Sequence, residues 1–212
     1  LTAAWLQARA GRRWRNLQDT THEPILAGGR WQRDWRSWQR SGDYYDEARL
    51  IWIEADALIR ERSAGQRSMD DFARHFFAVP AGRAAPELRP RAYTFDDVVR
   101  ALNGVLAHDW AAFLRERLDG HDGATLAAGL RRAGWQLAWS EQPSEYLKAV
   151  EARDKRNDFS HSIGLSVTED GKLAGVVWDG PAFQAGLTAG ATLLADEFAK
   201  PGAPQMDFVF TV

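Results

Sequence analysis

The sequence predicts an α+β chain: a helical bundle to about residue 133, then a small β-rich unit. Three observations carry this. Between residues 45 and 132, apolar side chains recur at helical spacing in segments that open on Ser, Thr or Asp. After Gly134 the runs shorten and several alternate apolar with polar residues between glycine turns. The composition, 45% hydrophobic and 26% charged over 212 residues, is that of a chain able to bury a core without cross-links.

The elements follow in order. Leu1 to Ala10 reads as the end of a helix stopped by Gly11, so a start at Leu1 is expected to be a cut within a longer chain. Residues 11–42 are rich in Arg and Trp, and Trp31, Trp35 and Trp38 fall at i, i+4, i+7, one face of a short helix. A strong helix is expected from Tyr45 to Arg62, with Leu50, Ile51, Ile53, Ala57 and Leu58 as its apolar stripe and Gly65 beyond its end. Ser68-Met69-Asp70-Asp71 and Thr94-Phe95-Asp96-Asp97 each place a capping hydroxyl three residues before an acid and open further helices. Asp109 caps another, and residues 125–132 form one more, stopped by Gly134.

In the β-rich part, Trp135–Trp139 alternates as a strand, and residues 141–159 are polar and helical or linking. Strands are expected over His161–Thr168 and Leu173–Trp178 about the turn Glu169-Asp170-Gly171, with a short helix over Pro181–Ala185. Ala191–Ala195 and Met206–Val212 have strand composition.

A net charge of −2 gives the chain as a whole no bias towards nucleic acid or membranes, and no apolar run approaches the ~20 residues of a membrane span. The absence of cysteine excludes disulfides, thiolate metal sites and cysteine nucleophiles, and leaves cytoplasm and periplasm both open as compartments. The five histidines show no H-E-x-x-H: His22-Glu23 has Ile25 and Leu26 where the second histidine of a zinc pair would fall. There is no nucleophile elbow, P-loop or dinucleotide fingerprint.

Two segments invite a functional reading. Residues 11–40 hold seven arginines, three acids and four tryptophans, an interleaving that suits single-stranded nucleic acid. The expectation is the plainer one, a helix packing its Trp face while arginines solvate the rim, with no nucleic-acid partner. Tyr44-Tyr45 opens the strongest helix. Adjacent tyrosines there can be packing residues, but a phenol can also donate a hydrogen bond to a developing oxyanion.

Gly11-Arg12-Arg13-Trp14, Leu17-Gln18-Asp19-Thr20, Trp35, Tyr44-Tyr45, Leu50-Ile51-Trp52 and the helix start Ser68–Phe72 together resemble the glycyl aminopeptidase family. These are zinc metallopeptidases of the thermolysin-like type with a C-terminal PDZ domain. The run Trp178-Asp179-Gly180-Pro181-Ala182-Phe183-Gln184-Ala185-Gly186-Leu187, then Gly190, resembles the G-P-A-x-x-A-G-L-x-x-G signature of bacterial PDZ domains.

The resemblance implies three parts. Residues 1–133 would be the helical C-terminal part of the catalytic domain, 134–159 a linker with one strand, and 160–212 an incomplete PDZ-like domain. It implies a parent enzyme that removes small N-terminal residues, glycine or alanine, from peptides. The parent's zinc ligands would lie in the N-terminal catalytic half of the same polypeptide, so that this chain alone holds no metal and is inactive.

In the related aminopeptidase N family, a Tyr-Glu-Lys-Gly motif opens a helix, and its tyrosine stabilises the tetrahedral intermediate. Tyr45-Asp46-Glu47-Ala48 resembles it, with Glu47 and Ala48 in place of Lys and Gly. Tyr45 is therefore the expected catalytic residue and Tyr44 the fallback. Ser162, Ile163, Gly164 and Leu165 fall where a PDZ loop binds a peptide carboxylate. Beyond Ala195 the sequence departs from the PDZ pattern, running into Asp196-Glu197-Phe198-Ala199-Lys200-Pro201-Gly202. The alternative reading is a non-enzymatic PDZ-type peptide-binding module.

Overall fold

A computed structural model describes residues 6, 9–28, 35–78, 92–123, 125–138, 140 and 142–193. The chain is mixed helix and sheet and divides into two compact units, Leu1–Ser140 and Glu141–Val212.

The first unit is helical. A 3-10 turn at Ala10–Arg13 leads into three single-turn helices, α1 (Leu17–Thr20), α2 (Glu23–Leu26) and α3 (Arg36–Gln39). The long helix α4 (Asp43–Arg62) follows, then α5 (Met69–Phe76), α6 (Phe95–Val105), α7 (Trp110–Asp119) and α8 (Ala128–Arg132). The starts read from the sequence are present as hydrogen bonds. Ser68 and Asp71 form a reciprocal capping box at α5, and Thr94 and Asp97 form another at α6. At α7, Asp109 Oδ1 accepts from the Ala112 N–H at 2.9 Å. At the far end of α4 the Gly65 N–H reaches Arg60 O at 2.8 Å, with Gly65 at φ +77°, where a side chain is strained.

These caps fix where the helices begin, and so which residues meet. The main core gathers Ala55, Leu58 and Ile59 of α4, Phe72 of α5, Ala101 and Leu102 of α6, and Trp110, Phe113 and Leu114 of α7. Trp110 is fully buried yet satisfied, its indole N–H donating to Leu106 O at 2.8 Å. Helix α8 lies close against α4 because residue 129 is glycine: a Cβ there would stand 2.6 Å from Glu54 Cβ and 2.7 Å from Glu54 Cα. A smaller cluster of Leu6, Leu50 and Leu126 closes the other side of α4.

Several expectations are corrected here. Gly11 does not stop a helix but lies inside the 3-10 turn, where a Cβ would strike Trp38 O. Trp35 is not on a helix face with Trp38; it precedes α3 in the left-handed region at φ +52°. Trp31 lies outside the described residues. Residues 135–138 form no strand.

The second unit contains helix α9 (Glu145–Asp154), a three-stranded antiparallel sheet and a one-turn helix, α10 (Pro181–Gln184). The strands are β1 (Arg156–Phe159), β2 (Leu165–Thr168) and β3 (Leu173–Val176), in the order β1-β2-β3. Ser144 caps α9. Strand β1 was not expected: Arg-Asn-Asp-Phe has no alternation, and it becomes a strand by pairing Arg156 with Thr168 and Phe159 with Leu165. The expected strand from His161 begins only at Leu165, because 160–164 form the turn between β1 and β2. Thr192 makes a single bridge to Lys172, and the strand expected at 206–212 lies outside the described residues.

Candidate functional site

The expectation of packed tryptophans and solvated arginines holds only in part among the described residues: Arg13 and Arg36 are exposed and Trp35 and Trp38 half-buried, but Trp14 and four arginines do the opposite. Trp14 is 47% exposed, whereas Arg9, Arg12, Arg15 and Arg40 are buried, Arg40 completely. Their partners come from across the fold. Arg9 and Arg40 both reach Asp43, and Arg12 and Arg40 both reach Glu47. Arg15 holds Glu23 at 2.9 Å and Asp19 at 2.6 Å, and it donates to Gln39 O. Arg40 in turn donates to Arg15 O. Burial is the main cause that lowers the pKa of the Arg9 and Arg40 guanidiniums, and neighbouring arginines add to it. Both stay charged at neutral pH, so each needs the carboxylates beside it.

This network sits on α4. Asp43 and Glu47 are one turn apart and share a face, and both are buried. The same line continues through Leu50, Glu54 and Leu58, all buried. Glu54 receives a two-pronged contact from Arg117 on α7, at 2.6 and 2.8 Å, and that guanidinium also lies 3.6 Å from the Phe113 ring centroid. A small void between the two groups is lined by Arg12, Glu47, Glu54 and Arg117.

The tyrosines are placed by this anchoring. At about 100° per residue, Tyr45 lies roughly 200° round the helix from Asp43 and faces away from the network. It is 58% exposed. Tyr44 and Tyr45 are in ring contact, with centroids 4.4 Å apart. Burial first, and then hydrogen bonding with Tyr45, push the Tyr44 phenol up to about 12, so it keeps its proton throughout the neutral range. Two of the N–H groups at this helix start are already engaged, Asp43 with Arg40 O and Tyr45 with Gly42 O.

In the second unit, Ser162, Ile163 and Gly164 fall in the turn and Leu165 opens β2. The N–H groups of Ser162 and Gly164 both donate to Phe159 O, at 3.1 and 2.9 Å. Ile163 O and Gly164 O accept from Ala182 and Val177, at 2.9 and 2.7 Å. Gly164 has φ +78°, which accounts for a glycine there. A peptide that adds as a strand needs an open edge, and β2 has β1 on one edge and β3 on the other.

Among the described residues, no group of three or more His, Cys, Asp or Glu side chains is arranged to hold a metal ion. The zinc implied by the family resemblance therefore has no fitting site in them. No described helix is long and apolar enough to cross a membrane. Compared with models of known protein families and with curated proteins, the chain matches none.

The sequence pattern points to the tyrosine pair and not to the network beneath it. A signal for the network was present: Asp43, Glu47 and Glu54 fall on the stripe that Leu50 and Leu58 mark as core-facing. Acids on a core stripe call for buried cations.

Proposed function

We propose that the chain is the C-terminal part of a zinc-dependent aminopeptidase that removes small N-terminal residues from peptides. Tyr45 would be its oxyanion donor. The observation that carries this is the exposed Tyr45 on the first turn of α4, whose opposite face is locked by Arg9, Arg12 and Arg40. A donor is effective when it is held still before charge develops, because no reorganisation is then needed. Tyr44 supports it by remaining protonated and hydrogen-bonded to Tyr45, and such chains polarise one another. The metal would be held by residues outside this chain.

The alternative, a PDZ-type module using Ser162 to Leu165, gains support from the Gly164 turn beside α10. It loses support from the pairing on both edges of β2. The network also weakens the nucleic-acid reading, since the arginines it uses are committed to carboxylates.

The test is made on the full-length gene product. Hydrolysis of glycyl and alanyl anilides that a chelator abolishes is expected. Tyr45→Phe should lower kcat about 10²–10³-fold, the value of one oxyanion donor, with KM little changed. Tyr44→Phe should lower it less. A full-length product without aminopeptidase activity, or a Tyr45→Phe enzyme at full rate, overturns the proposal.

A further inference from the structure

Helices α6 and α7 are joined by a short turn, residues 106–109, that carries His108. Its backbone is tied on both sides. The His108 N–H donates to Asn103 Oδ1 at 3.1 Å, and the His108 carbonyl accepts from the Trp110 N–H at 2.8 Å. The side chain is half-buried. Its ring makes T-shaped contacts with Trp110 and Phe113, at centroid distances of 5.0 and 6.2 Å. Both partners belong to the main core.

His108 also reaches α4. Arg62, the last residue of that helix, places Nη1 3.3 Å from His108 Nδ1. A guanidinium has donors and no acceptor, so Nδ1 must supply the lone pair. The contact therefore requires a neutral ring that carries its proton on Nε2. A proton on Nδ1 would set N–H against N–H and cation against cation, on a ring partly withdrawn from water.

The surrounding charges lean the same way. Arg62 of α4, Arg117 of α7 and Arg132 of α8 act on the ring, against Asp109 beside it in the chain. Arg117 and Arg132 are paired with Glu54 and Glu61. Burial first, and then Arg62, make the ring give up its proton more readily than a free imidazole, and Asp109 opposes them.

We propose that His108 is a pH-sensitive clasp: neutral, it joins the end of α4 to the α6–α7 turn, and on protonation it releases Arg62 and lets the turn open. Because the folded ring binds its proton more weakly than the unfolded one, the clasp contributes fully above about pH 6.5, the free imidazole value. Its contribution is lost as pH falls below that.

The experiment uses the intact chain. Isotope-edited NMR follows the His108 ring nitrogens from about pH 8 to about pH 4.5, either side of the free value of ~6.5. At neutral pH the ring should be the Nε2–H tautomer, and its midpoint should fall below ~6.5. Over the same interval the His108 and Trp110 amides should lose protection about tenfold, measured against a free peptide at the same pH. His108→Gln offers Arg62 an acceptor that cannot titrate, so both amides should stay protected throughout. Arg62→Met, at an exposed position, should raise the His108 midpoint and leave both amides about tenfold less protected even at neutral pH. Circular dichroism checks that each variant is folded; should His108→Gln unfold, the tautomer and Arg62→Met decide. An Nδ1–H tautomer overturns the proposal. So does a midpoint at or above ~6.5, which an imidazolium held favourably against the Trp110 ring would give. Protection that ignores pH in the native protein, that falls equally in His108→Gln, or that Arg62→Met leaves unchanged, overturns it as well.

Discussion

The two ends of α4 are packed by opposite means. Its C-terminal half presents Ala55, Leu58 and Ile59 to Phe72, Leu102 and Trp110, an interior held by area and shape. Its N-terminal half presents Asp43 and Glu47 to Arg9, Arg12 and Arg40, an interior held by charge. An apolar interior draws on many non-directional contacts, and a gap in it costs in proportion to the cavity left. A buried ion cluster depends on a few directed contacts, and losing one carboxylate leaves its arginines uncompensated in a medium that solvates them poorly. The charged end is the one that bears Tyr44 and Tyr45.

The largest expected effect breaks the charged end. Glu47→Ala leaves Arg12 without its carboxylate and Arg40 with Asp43 alone, and should cost about 3–5 kcal/mol in urea unfolding. Leu102→Ala, in the apolar end, should cost about 2–5 kcal/mol by cavity formation. The two are distinguished by position rather than size. Glu47→Ala should loosen the first turn of α4, read as faster amide exchange at Tyr44 to Asp46, and Leu102→Ala should leave that turn protected. Similar exchange in both variants would mean that the two ends of α4 form one cooperative unit, and the contrast would fall.

A smaller effect tests the middle of the helix, where α8 crosses it. Gly129→Ala places a methyl 2.7 Å from Glu54 Cα and 2.8 Å from its backbone nitrogen, so the helices must separate. The expected cost is about 1–3 kcal/mol. Because the clash is with backbone, adding Glu54→Ala should not restore stability. Rescue by the double variant would show that only the side chain was in the way. Glu54 is also the acid that Arg117 grips, so the double variant should be less stable than Gly129→Ala alone.

The sequence was most legible where structure is local. The caps at Ser68, Thr94 and Asp109 involve groups three residues apart at most, and each is present together with the helix it was expected to open. The β2–β3 hairpin was legible for the same reason, with Gly171 at φ +78° in its turn. What failed was non-local. Arg12 lies 35 residues from Glu47, and Arg117 lies 63 from Glu54. Within residues 11–40 alone the arginines look unmatched, and so look solvated. Strand β1 failed in the same way, because nothing in Arg-Asn-Asp-Phe favours extension without β2 beside it. The tyrosine pair stands out as a motif, but it is held in place by residues that the sequence pattern puts at the surface.

The smallest expected effect lies far from both interiors, at the start of α6. Thr94 Oγ1 accepts from the Asp97 N–H at 3.2 Å, and Asp97 accepts from the Thr94 N–H at 2.9 Å. Thr94→Ala should cost about 1 kcal/mol, the ordinary value of a cap. The same box carries a pH signature. The Thr94 backbone N–H, then Arg100 and the Thr94 hydroxyl, lower the Asp97 carboxyl to about 2. An unfolded aspartate titrates near ~3.9. The folded pKa is the lower one, so this contribution is complete above about pH 4 and is lost as pH falls towards 2. Carbon-detected NMR of the Asp97 carboxyl should give a midpoint near 2 in the native protein and a higher one in Thr94→Ala. Amide exchange at the first turn of α6 should quicken over the same interval, and Asp97→Asn should remove that pH dependence. A midpoint near ~4 in the native protein, the unfolded value, would mean that the box is not formed in solution. The start of α6 would then be set by the burial of Ala101 and Leu102 alone.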